Sequence, residues 1–290
     1  MLNNLDVVIS FATIMLGVSM LVMVGTQTIS AVLNLRGTQL RAGLREMFIQ
    51  GSNFTPEESA KVADEVLLHP LLSDGVVGKR LAPAIQKSEL TRVLKLLKAK
   101  GAFDKIEKIE EKLSATEAFV EDWFSAAMDR VAHRFAGMMR GATIVLSFGL
   151  AFALHLDTLD LLSQLSSSAA LRESLLVSAK AIQERATTTL STPPTPGTDA
   201  NSSTFATFTG LIGQAKGIQT ELGSAQFQLI PSPYPGLNFD KHIWGIIASA
   251  VLLSLGAPFW FNLLSSASSL RPVLAQKVDA AESNQPSAAA

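Results

Sequence analysis

Residues 243–270 read IWGIIASAVLLSLGAPFWFNLLSSASSL, twenty-eight consecutive positions without one charged side chain. At about 1.5 Å rise per residue, such a helix reaches roughly 42 Å, more than the roughly 30 Å hydrocarbon core of a bilayer requires. The stretch is expected to be a membrane span. Pro258 removes a backbone donor inside the run and crowds the preceding turn, so a kink or break is predicted just past the midpoint, with Gly256 and Pro258 as candidate helix contacts. Trp260 is placed near the cytosolic interface, where an amphipathic ring is favoured, as a candidate lipid-headgroup contact.

Outward from this stretch, a second uncharged run opens the chain. Residues 7–35 (VVISFATIMLGVSMLVMVGTQTISAVLNL) carry no formal charge and form the first expected span. A cleaved signal peptide is the competing reading. It fails because residues 1–6 lack Lys and Arg, the apolar run is too long, and no small-residue cleavage site precedes the basic segment. Gly17 and Gly25 lie eight residues apart, where small residues let another helix approach. The run exits into LRGTQLRAGLREMF, in which Leu40, Leu44, Met47 and Phe48 make an apolar stripe and Arg36, Arg41 and Arg45 are candidate lipid-headgroup contacts. This helix is expected to continue out of the membrane along the interface.

Between residues 51 and 134 the pattern is that of a soluble helical domain. Thr55, Pro56 and Glu58 make a helix start with a capping box, and a second helix begins near Ser88 and ends at Gly101. Ser114 and Glu117 suggest another capping box. The helix that follows places Phe124, Met128, Val131 and Phe135 on one side, and no breaker separates Trp123 from the apolar run 141–154. One helix of roughly forty residues should therefore leave the cytosolic domain and become the second span. Trp123, Phe124, Met128 and Arg130 form the candidate cytosolic docking face. Arg140 is expected to snorkel to headgroups, and Gly137 and Gly141 form a GxxxG pair suited to helix contact.

The resulting organisation has six parts. Residues 1–35 form the first span with the N-terminus outside, 36–134 the cytosolic helical domain, and 135–157 the second span. Residues 158–241 form a partly flexible extracytoplasmic segment with a Ser/Thr/Pro-rich tip, 242–270 the kinked third span, and 271–290 a disordered cytosolic tail. Of the 24 Lys and Arg residues, 17 lie between the first two expected spans, which assigns that segment to the cytosol. The fold class is thus an all-α integral membrane protein with three transmembrane helices.

Trp123 to Phe135 (WFSAAMDRVAHRF) and LSLGAPFWFNLL from Leu253 to Leu264 resemble a family of uncharacterised bacterial inner-membrane proteins. That family shares a WF-x3-MDRV-x3-F helix and a final LGAPFWF-(D/N)-LL span. The likeness extends weakly to the arginine-rich exit of the first span and to LLHPLL at residues 67–72. It implies a multi-pass protein of the bacterial inner membrane and transfers no activity.

Composition narrows function mainly by exclusion. A 48% hydrophobic chain with 17% charged residues exceeds a soluble protein in apolar surface, and its net charge of −1 offers no footprint for nucleic acid. Without cysteine there is no thiol chemistry, and no G-x-S-x-G, HExxH or phosphate-cradling loop occurs. No catalytic, cofactor-binding or metal-ligating residue is assigned. The expected function is a membrane-anchored scaffold or interaction protein, homo-oligomeric, whose partners are the lipid bilayer and a cytosolic protein. An oligomeric channel is the alternative, with Thr26, Gln27, Ser249 or Ser254 lining the pore.

Overall fold

The structure, a computed structural model, describes residues 2–73, 81–104, 106–191, 213, 216–220, 222–223 and 243–283. Among these residues it is all-helical, with no strand. The helices are α1 (Leu2–Val32), α2 (Leu35–Ser52), α3 (Pro56–Leu67), α4 (Lys87–Ala99), α5 (Ile109–Ala153), α6 (Thr158–Ser167), α7 (Ala169–Ser191), α8 (Ile243–Ser254) and α9 (Ala257–Ser283). They fall into two compact units. One comprises residues 1–26, 142–193 and 211–290, and the other residues 27–141 with 194–210.

In the unit containing residues 27–141, the first span does not run on as one helix. Asn34 takes a left-handed conformation (φ 47°) between α1 and α2, and its side-chain amide donates to the Leu81 carbonyl at 3.0 Å. The apolar stripe of α2 (Leu40, Leu44, Met47 and Phe48) turns into a protein core with Val62, Val66, Leu90, Leu94 and Phe103, not toward lipid. Helix α3 starts as the sequence pattern requires, with Thr55 and Glu58 completing a reciprocal capping box and Pro56 in the first turn. It stops at Leu67, two residues before His69. Helix α4 is capped by Gln86 and Glu89 and ends on Gly101 (φ 71°), whose neighbour Ala102 donates back to Leu97. Ser114 is not a cap: α5 begins at Ile109 and passes through it uninterrupted for 45 residues. Helices α2 and α5 approach closely where Gly43 faces Val131 and Gly51 faces the Phe119 ring.

The second unit is organised around α1. From Ala12 to Met20 every residue of this helix is buried, so more than two full turns are covered on all sides by the protein itself. The cover comes from Ala151 and Leu156, from Leu161 and Leu165 of α6, from Leu175, Ala179, Ile182 and Ala186 of α7, and from both halves of the 243–270 stretch. Helix α5 stops in this unit at His155 (φ 47°), and Leu156 folds back to donate to Ala151 at 3.0 Å. Asp157 then caps α6 by accepting from Leu159 and Asp160. The segment that begins at Thr158 is helical as far as Ser191, interrupted at Ser168. Its Ser/Thr/Pro-rich tip beyond that point and the PSPYPG approach lie outside the described residues. Likewise α9 continues to Ser283, so the expected disordered tail is helical from Arg271 onward in its first part.

Among the described residues, two helices are long and apolar enough to cross a membrane, Asn3–Val32 and Trp123–Ala153, and a third crossing counts only if the bent pair α8 and α9 is taken as one span. The two are buried very differently. Inside the protein, 72% of the apolar window of the first is covered, against 11% of the second.

Charge placement in the first-described unit sets its pH response. Lys112 donates to Glu58 at 2.7 Å, with both side chains mostly covered, and holds the Glu58 carboxyl below its ordinary value of 4.5. His69 is 8% exposed, and burial, aided by Lys100, lowers its pKa from 6.5. Both folded-state values are depressed, so both contributions are complete above the ordinary values and are lost as pH falls. Thermal unfolding followed in mild detergent is expected to show stability falling below about pH 6.5, and again below about pH 4.5. His69→Gln should flatten the upper step and leave the lower one.

Candidate functional site

Of the kink or break expected in residues 243–270, the structure has the break. The chain breaks at Leu255 and Gly256, and the two flanking helices meet at 91°. Gly256 adopts φ 82°, a conformation costly for any residue with a Cβ, and donates to Leu253 at 3.0 Å to close the end of α8. Pro258 is not the break itself. It is the second residue of α9, where its missing donor leaves no helical bond unmade.

Trp260 locks this elbow. Its indole Nε1–H donates across the break to the Leu252 carbonyl at 3.0 Å, while its ring packs edge-on against Phe11 of α1 at 5.7 Å and against Phe259 at 5.1 Å. It is 3% exposed. The assignment of Trp260 to the lipid headgroups is therefore corrected: a buried donor needs a partner, and this one has it within the protein.

The two arms of the elbow are tied down by polar contacts. On the α8 side, Ser249 and Thr158 share a buried hydrogen bond of 2.7 Å, and a methyl group at Gly245 would collide with the Asp157 carboxylate. On the α9 side, Arg271 Nε donates to Asp6 at 3.0 Å. Between these ties the outer surface carries Val251, Leu255 and Phe259, all exposed.

The other sequence-predicted positions separate into packed and open ones. Gly17 lies against Leu222, and Gly25 against Leu146, at distances where an added methyl would need the leucine to move. Gly137 and Gly141 face open space on α5. Arg36 lies over the Phe135 ring at 5.3 Å, and Arg41 is paired with Asp64, so these two are engaged by the protein rather than by headgroups. Arg45 and Arg140 are exposed.

The proposed docking face also needs correction. Phe124 belongs to the core of its unit and Met128 packs against that core, because α5 must bury this side over α2. Trp123 and Arg130 remain exposed. Sequence reasoning missed Phe119, whose ring stacks on Trp123 with centroids 5.9 Å apart and planes 6° from parallel. Its i, i+4 spacing from Trp123 was the available signal.

The hydroxyls read as pore-lining are already satisfied. Thr26 donates to Val22, Ser254 to Val251, and Ser249 is buried against Thr158. Among the described residues, no three His, Asp or Glu side chains come together as a metal site. No family model, curated protein or solved structure matches this chain.

If the indole bond fixes the elbow, Trp260→Phe should lower stability by about 1 kcal/mol, the net worth of one buried hydrogen bond. Trp260→Ala should cost about 3–5 kcal/mol through the lost ring. Denaturant unfolding in detergent reads both values, and a Trp260→Phe loss near zero beside the full Trp260→Ala loss would show that the ring matters and the bond does not.

Proposed function

We propose that this protein is a membrane-anchored scaffold of the bacterial inner membrane, which holds the helical unit of residues 27–141 on the cytosolic side for a protein partner and works as a homo-oligomer. The observation that carries the reading is the exposed side of α5. Phe119, Trp123, Ala126, Arg130, His133 and Gly137 recur at alternating four- and three-residue steps, and from Trp123 onward each is exposed. That spacing is the seam of a helix that pairs with another helix. A stacked aromatic pair with an arginine two turns further is also the composition favoured at binding hot spots.

Membrane residence is supported by the length and apolarity of α1 and α5, and a cytosolic unit by the 17 Lys and Arg residues within residues 36–140. The resemblance to inner-membrane proteins with the WF-x3-MDRV-x3-F helix points to the same compartment and supplies no activity. A channel is less favoured, because the hydroxyls it would use are bonded within single chains.

Cross-linking in native membranes, followed by identification of the captured proteins, tests the reading. Trp123→Asp with Arg130→Glu is expected to abolish capture of the partner while leaving the protein in the membrane fraction, since neither side chain belongs to the core. Unchanged capture would remove α5 as the docking element. Mass measurement in mild detergent should give a multiple of the 30.9 kDa chain, and a stable monomer would remove the oligomer.

A further inference from the structure

We infer that residues 243–283 do not cross the membrane: α8 and α9 form an elbow that dips into the acyl chains and returns to the side it left, so the chain crosses only twice. The inference rests on the proposed crossing by α1 and α5. Two crossings joined by residues 36–134 put the N-terminal end of α1 and the C-terminal end of α5 on one side of the bilayer. Asp6 marks the first of these ends, and Asp157 and Thr158 follow the second directly.

Both arms of the elbow are fastened to those same ends. Gly245 packs against Asp157 and Ser249 bonds Thr158, so α8 starts beside the end of α5. Arg271 is bonded to Asp6 at 3.0 Å, so α9 passes the beginning of α1. A third crossing would separate Arg271 from Asp6 by the roughly 30 Å hydrocarbon core, which a 3.0 Å ion pair does not permit.

The lengths agree. The 12 residues of α8 reach only about 18 Å, too short to span, and the 91° turn keeps α9 from completing the crossing in the same direction. The outside of the turn carries Val251, Leu255, Pro258 and Phe259. These side chains have no charged neighbour in the quoted stretch, and the fitting occupant is the hydrocarbon of the leaflet next to the N-terminus. The break leaves few polar groups open, since Gly256 N–H reaches Leu253 and the Leu252 carbonyl accepts from Trp260. Backbone irregularity of this kind is tolerated at membrane depth when the protein satisfies it.

The cysteine-free chain allows a direct test by single-cysteine labelling with a membrane-impermeant maleimide in intact cells. Asn3→Cys, Ser163→Cys, Gln276→Cys and Ala42→Cys all replace exposed residues, and Val251→Cys reports the elbow. Cysteines at 3, 163 and 276 should label together from one side, that at 42 only from the other, and that at 251 only after detergent. If position 276 labels with position 42 while 3 and 163 label opposite, the chain crosses three times and the elbow is wrong. If position 251 labels readily in intact membranes, the turn is not in lipid and the inference fails. If 42 labels from the same side as 3, the crossing reading itself falls and takes this inference with it.

Discussion

The rest of one unit depends on the burial of α1. A helix with apolar residues on every side must be covered on every side, either by lipid or by protein. Here the cover over residues 12–20 is protein, from the core cluster that α1 shares with residues of α5 to α9. Lipid tails are as apolar as Ile14, Met15, Leu16 and Met20, so within a bilayer this contact is held by close packing of fully buried side chains rather than by their removal from water. The polar ties, Ser249 to Thr158 and Arg271 to Asp6, select the register of helices that the apolar contact has already gathered.

Helix α5 shows the opposite solution to the same problem. Its apolar window is almost uncovered, with Ile144 and Val145 exposed. Two candidate spans of 30 and 31 residues therefore have different jobs: one is the core of a bundle, and the other supplies surface to a solvent or partner that the single chain lacks. In the unit built from residues 27–141, α5 again divides its sides, with Phe124 and Ala127 packed inward and Trp123 left outward.

Much of the helix content was legible in the sequence because its signals are local. The capping box at Thr55, the glycine stop at Gly101 and the unbroken passage from Trp123 into the apolar run all rest on neighbours within a few residues. What the sequence hid depends on distant partners. Uncharged runs announce that a helix will be buried and are silent on what buries it, so α1 and residues 243–270 read as equivalent lipid-facing spans. The arginines 36 and 41 read as headgroup anchors because Phe135 and Asp64, far away in sequence, could not be foreseen as their partners. Trp260 was misplaced for the same reason: its acceptor lies eight residues back, and reaching it requires a right-angled break that Gly256 makes and Pro258 merely follows.

The central claim is that the N-terminal half of α1 is shielded by the protein rather than by lipid. Photolabelling from within the bilayer, with a carbene precursor dissolved in the acyl chains and the adducts mapped by mass spectrometry, addresses it directly. The account predicts adducts on α5 around Ile144 and Val145 and none on residues 12–20 of α1. Adducts along residues 12–20 at a density comparable with α5 would contradict it.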